Sequence, residues 1–222
     1  MTLQAIETQY SGCRFRSRLE ARWAVFFDTL GIPWEYEPQG YLIGPEDNRR
    51  PYLPDFYLPG IGTWVEVKGD PMGLDRNLMA AAVDPKTGLG RCNPFYETTI
   101  LILGQIPKPG VAYTHWLVSR LPFSNCDRYC GCVDVQYTRV AFLAMPRVIT
   151  PEMADAAMLD HKRAKDLAGL GALLHQSGRS LLTPDTADLT KAEPTGLLPL
   201  DPGVDEAYRA ARSARFEHGE TP

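Results

Sequence analysis

The sequence predicts an α/β protein: a mixed β-sheet core flanked by helices, with a C-terminal helical extension. Three observations carry that expectation. Residues 15–30 place Phe15, Leu19, Trp23, Phe26, Phe27 and Leu30 at helical spacing. Short apolar segments then alternate with Pro- and Gly-rich connections, the pattern of paired strands. Further on, Thr150-Pro151-Glu152 offers an N-cap followed by proline at the first helical position.

Taken in order, the first helix would be capped by Ser11 and closed by Gly31, with Pro33 forbidding continuation. WEYEPQGYLI reads as a first strand and GPEDNRRP as a loop. YLPDFYLP and TWVEVKG read as a hairpin joined by PGIG, with Pro51, Pro54 and Pro59 making its first strand irregular. A second helix is expected over 72–83. TTILILGQI reads as a buried strand, and AYTHWLVS and VDVQYTRVAFLA as two more. These elements define a domain over 1–149, followed by a long helix over 150–176. Residues 177–222 read as a linker and a short final helix over about 205–216.

Composition bounds the function classes. A length of 222 residues, 44% hydrophobic and 23% charged, suits a globular protein with a substantial core. The net charge of −4 does not advertise a nucleic-acid partner. Local basic patches remain available at Arg14, Arg16, Arg18 and Arg22, and at Arg49 and Arg50. No window reaches the ~18 apolar residues of a membrane span, and no secretion leader is legible, so the expected location is cytoplasmic. Five cysteines, an odd number, argue against a disulfide framework.

Chemistry concentrates at Asp55, Glu66 and Lys68. Glu66 and Lys68 lie two apart on one expected strand and leave the same face, while Val65 and Val67 leave the other toward a core. Asp55 lies on the neighbouring strand of the hairpin, within reach of Glu66. Two carboxylates and an ammonium at one spot suit a hard divalent cation such as Mg²⁺ or Mn²⁺, which takes few carboxylates and keeps waters and phosphate oxygens. The Val67 carbonyl is a further candidate ligand. Glu-x-Lys alone is a common exposed pair of little consequence; the aromatic and apolar setting of Leu53-Pro54-Asp55-Phe56 is what sets this one apart.

The string YLPDFYLPGIGTWVEVKG resembles the PD-(D/E)xK nuclease superfamily, which has the restriction-endonuclease-like fold. Pro54-Asp55 matches one element and Glu66-Val67-Lys68 the other. The resemblance implies metal ligation by Asp55 and Glu66 and service of the attacking water by Lys68. Many members carry a metal-binding glutamate on the helix before the core strands, and Glu20 occupies that place; its other reading is a helix-surface residue paired with Arg16. The likeness runs over about residues 10–69 and is similar to short phage and bacterial members, including Holliday-junction resolvases and transposase endonuclease subunits. It implies DNA as partner, with Arg16, Arg18 and Arg22 as candidate phosphate contacts. Cutting both strands with one centre would favour a homodimer. The rival function is a non-catalytic nucleic-acid-binding or assembly module.

That rival draws on the cysteines. Cys126, Cys130 and Cys132, with Cys92, form a candidate zinc set of unusual spacing. Cys13 with the same trio echoes the iron–sulfur layout of some superfamily members. The third reading is a set of reduced or buried thiols. His115, His161, His175 and His218 form no hydrolase triad, Trp23 and Trp64 read as core, and Asp70 reads as a turn residue.

Overall fold

The computed structural model describes residues 7–70, 73–92, 98–122, 133–142, 173–176, 191–194 and 200–216. The chain opens with a hairpin, β1 (Thr8–Tyr10) and β2 (Cys13–Phe15), paired Tyr10↔Cys13 across Ser11-Gly12. Both turn residues have positive φ, 49° and 77°, the backbone that two-residue hairpins favour. Ser11 is therefore a turn residue, not the expected helix cap. The cap is Ser17, whose hydroxyl accepts the Glu20 amide hydrogen, and α1 runs Arg18–Leu30. Ser17 and Glu20 carry the S-x-x-E pattern of a capping box, a signal stronger than the isolated Ser11, with Glu20 accepting the Ser17 hydroxyl and the Arg16 amide. Gly31 closes the helix as expected. Its φ is 67°, its amide donates to Asp28, and Ile32 donates to Phe27 at 2.9 Å, a Schellman closure.

The segment expected as one strand divides in two. β3 (Glu35–Tyr36) joins the main sheet, whereas β4 (Tyr41–Ile43) pairs with β5 (Arg50–Tyr52) in a separate two-stranded sheet. The break falls where Glu37 adopts φ 43° and Pro38 offers no amide hydrogen to a ladder. β6 (Phe56–Leu58) and β7 (Thr63–Val67) form the expected hairpin, in register Phe56↔Val65. α2 spans Arg76–Ala82, shorter than the expected 72–83 because Asp75 caps it, accepting the Leu78 amide hydrogen at 2.9 Å.

β8 (Thr99–Leu103) runs parallel to β7, Glu66↔Ile102. β9 (Tyr113–Pro122) and β10 (Val133–Phe142) continue antiparallel. β11 (Leu173–Gln176) adds to β10, Phe142↔Leu173. Among the described residues the main sheet has eight strands in the order β11-β10-β9-β8-β7-β6-β3, with β12 (Glu193–Pro194) paired to β9. The end of the range read as a long helix is thus a strand, because Leu173 and Leu174 find an open edge on β10. Residues 150–172 of that reading lie outside the described residues. The final helix, α3, spans Pro202–Ser213 and starts earlier than expected: Asp201 is its N-cap and Pro202 its first residue.

The sheet is buried on both faces, which explains the unbroken apolar run of β8. Leu101 and Leu103 face α1 and α3 in one core with Val65, Val67, Phe26, Phe27 and Tyr208. Ile100 and Ile102 face a second core with Tyr52, Met79, Val83, Trp116 and Tyr137. Phe26 and Tyr208 stack at 4.8 Å between ring centroids, tying α3 to α1. Among the described residues no helix is long and apolar enough to cross a membrane. The architecture is mixed α/β, with a multi-stranded mixed sheet and, among the described residues, three α-helices.

Candidate functional site

The hairpin register brings the two halves of the motif together. Asp55 sits just before β6, where its amide donates to Val65 O at 3.1 Å. Its carboxylate turns along the partner strand, and Oδ2 accepts the Val67 amide hydrogen at 2.6 Å. Glu66 lies one residue away on β7. Both carboxylates are 4% exposed. Lys68, 34% exposed at its side chain, places Nζ 2.8 Å from Glu66 Oε1. The opposite oxygen, Oε2, accepts the Tyr52 hydroxyl at 2.7 Å. Tyr52 reaches it from β5, so the small sheet serves as a brace for Glu66.

Arg16 and Glu20 approach from the start of α1. Arg16 Nη2 lies 3.3 Å from Asp55 Oδ1, and its Nε pairs with Glu37 Oε1. The positive φ of Glu37 belongs to this arrangement, since the Glu37 amide donates to Asp55 O at 3.0 Å. Glu20 is buried, and both its oxygens are engaged. Oε1 accepts the Ser17 hydroxyl at 2.6 Å; Oε2 accepts the Tyr36 hydroxyl at 2.6 Å and the Arg16 amide at 3.2 Å. The helix cap and the acidic site therefore share one hydrogen-bond network.

Electrostatics mark Asp55 as the stressed member. Burial, then the charge of Glu66, and more weakly that of Glu20, push its carboxyl up to about 8, against the opposing pull of the Val67 amide and Lys68. Burial opposes the charge of Lys68, but Glu66 and then Asp55 outweigh it and raise its value. Burial and Glu66 hold the Tyr52 hydroxyl well above its ordinary value, so Tyr52 is a donor to Glu66.

The donor set fits a hard divalent cation in one respect. Two buried carboxylates lie on paired strands, Asp55 beside Arg16 and Glu66 beside Lys68, and oxygen donors suit Mg²⁺ or Mn²⁺. Among the described residues, no group of three or more His, Cys, Asp or Glu side chains is arranged to hold a metal ion. A divalent cation here would have two carboxylates, Asp55 and Glu66, and would need water and phosphate oxygens for the rest of its shell.

Of the other residues singled out in the sequence, Arg16 lies in the site. Arg18 is exposed on α1, and Arg22 is half-buried there, its Nε without a hydrogen-bond partner among the described residues. Asp70 is a turn residue: its carbonyl accepts the Gly73 amide at 3.0 Å. Cys13 is a free, half-buried thiol on β2. Cys92 ends a 3₁₀ turn, Leu89–Cys92, while Cys126, Cys130 and Cys132 lie outside the described residues, and with them the candidate zinc and iron–sulfur sets. Trp23 is core, its Nε1 donating to Gly104 O at 2.8 Å, and Trp64 is half-buried between Tyr41 and Tyr57.

Sequence reasoning missed Tyr36, Glu37 and Tyr52. Each reaches the site across a turn, and only the aromatic richness around Asp55 hinted at them. Comparison with protein-family models, with curated proteins and with solved structures finds no match to this chain.

Proposed function

We propose that the protein is a metal-dependent nuclease that hydrolyses phosphodiester bonds in DNA, with a restriction-endonuclease-like core and a PD-(D/E)xK centre at Asp55, Glu66 and Lys68. The single observation that carries the reading is the bond from the Val67 amide to Asp55, which sets two buried carboxylates beside a lysine on adjacent strands. Such a group is costly to bury without a purpose.

In this reading Asp55, Glu66 and the Val67 carbonyl hold Mg²⁺ or Mn²⁺, and Glu20 supports them from α1. The cation would polarise the phosphate and make bound water more acidic. Tyr52 fixes the rotamer of Glu66 through its hydroxyl. Lys68, held by Glu66, presents its ammonium where it orients the attacking water or meets charge developing on the phosphate. Arg16, Arg18 and Arg22 lie on or beside the first turns of α1, and in this reading they would contact backbone phosphates, the exposed Arg16 and Arg18 first. The choice of DNA over RNA rests on the family resemblance alone.

The test is a cleavage panel over plasmid, duplex, nicked, flap and junction DNA and matched RNA, with Mg²⁺ and with Mn²⁺. Wild type should cut at least one DNA form; Glu66→Ala should not, and Lys68→Ala should cut it far more slowly. Binding without cutting, unchanged by either substitution, would move the assignment to a nucleic-acid-binding or assembly module.

A further inference from the structure

Arg16 supplies a positive charge at the one oxygen of Asp55 that the backbone does not occupy. Oδ2 is committed to the Val67 amide, while Oδ1 meets Arg16 Nη2 at 3.3 Å, a long and weak contact. The guanidinium is held elsewhere by charge: its Nε forms an ion pair with Glu37, without hydrogen-bond geometry, and the Glu37 backbone has φ 43°, a conformation that non-glycine residues rarely adopt. The side chain is 57% exposed, so it is free to re-aim while Nε stays anchored. The Arg16 amide, bonded to Glu20 and to Tyr36, fixes the backbone from which it swings.

We infer that Arg16 is a resident counter-cation of the acidic centre, which yields Asp55 when a divalent cation binds and, kept in place by Glu37, turns its free guanidinium nitrogens to a substrate phosphate. The inference rests on the metal-dependent reading above and adds a coupling to it. Metal binding and phosphate binding become linked through one side chain, which disfavours a charged but substrate-free centre. Arginine suits the task because its fork can hold Glu37 with one nitrogen and offer others to a phosphate.

The two halves of the role predict opposite signs for a single variant. Arg16→Gln removes a competing charge, so Mn²⁺ should bind roughly three- to tenfold more tightly, the order expected for one charge near contact in a partly hydrated setting. The same variant should bind a 12-nucleotide single strand in Ca²⁺ more weakly, by a similar factor. Arg16→Lys keeps the charge and should hold Mn²⁺ near the wild-type affinity. Glu37→Gln should weaken oligonucleotide binding with Arg16 still present. Calorimetry reads Mn²⁺ affinity without any cleavage, and thermal melting checks that the variants are folded. Weaker or unchanged Mn²⁺ binding in Arg16→Gln overturns the inference, as does a wild type that binds no Mn²⁺. Oligonucleotide binding that Arg16→Gln leaves unchanged overturns the phosphate half. A wild type that cuts no DNA while Arg16→Gln still tightens Mn²⁺ removes the nuclease reading and leaves the counter-cation role standing.

Discussion

The Asp55 carboxylate accepts the amide hydrogen of Val67 at 2.6 Å, so the aspartate of one strand is fixed to the peptide between Glu66 and Lys68. The two halves of the motif are tied together, because the Asp55 carboxylate cannot turn away without giving up its bond to the Val67 amide. The arrangement concentrates negative charge in a place that the fold does not fully neutralise.

That charge has a stability cost that depends on pH. Asp55 has a value of about 8 in the folded chain against the ordinary 3.8. Between those limits the folded chain holds a proton that the unfolded chain has released, so this group's contribution to stability is present at low pH and lost as pH rises through about 8. Asp55→Asn stays neutral and keeps an oxygen for the Val67 amide. In EDTA its Tm should exceed that of wild type at pH 8.5 by several degrees, at about 2–4 °C per kcal/mol for a chain of this size. At pH 5 the gap should be much smaller, and it closes only as pH falls below the ordinary 3.8. Equal curves at both pH values would remove the account of buried repulsion.

His115 acts in the opposite direction. It is fully buried, bonded through Nε2 to the Tyr208 hydroxyl at 2.8 Å, and pushed down to about 3 by burial and then by the charge of Arg139. An unfolded histidine titrates near ~6.5. Its contribution is complete above that value and is lost as pH falls toward 3, where the unfolded chain binds the extra proton. Urea titrations of wild type and His115→Gln from pH 7 to pH 4 should diverge, wild type losing more stability on acidification. Comparing the two chains cancels the contribution of Asp55, which both retain.

Tyr52 braces Glu66 from a separate small sheet. Tyr52→Phe keeps the ring in the second core and removes only the hydroxyl. Mn²⁺ affinity should fall roughly ten- to hundredfold, the usual effect of losing an outer hydrogen bond to a metal ligand. The far-ultraviolet circular dichroism should not change. Unaltered Mn²⁺ affinity would mean that Glu66 holds its position without the tyrosine.

Lys68 should separate binding from chemistry. Lys68→Ala is expected to retain Mn²⁺ binding, since it removes a cation from the carboxylates rather than a ligand. Turnover on the cleaved DNA should fall by about 10²–10³, the order seen when one charge-stabilising donor is lost. A turnover loss matched by an equal loss of Mn²⁺ affinity would place Lys68 in a purely structural role.

Much of the centre was legible from local pattern. The spacing of Glu66 and Lys68, the prolines around Asp55 and the glycine after Leu30 act over a few residues, and the hairpin and the close of α1 follow from them. The supporting shell was not legible, because its bonds join residues far apart in sequence: Tyr52 to Glu66 across 14 positions, Tyr36 to Glu20 across 16, and Arg16 to Asp55 across 39. The division of WEYEPQGYLI depended on the backbone of Glu37, which no propensity for glutamate announces. Leu173–Gln176 became a strand because an edge of β10 accepted it, and no local rule overrides such a tertiary partner.

The stacking of Phe26 on Tyr208 bears on the order in which the protein matures during synthesis. Every residue of the acidic centre is joined by Lys68, yet part of the apolar side of α1 is covered by a helix more than a hundred residues later. Until α3 emerges, the helix carrying Glu20 has a bare flank, and the clamp on Asp55 lacks its full backing. A nascent chain would hold the complete set of acidic and basic groups well before it held them in place. The backing of α1 is thus supplied by residues more than a hundred positions after the centre it supports.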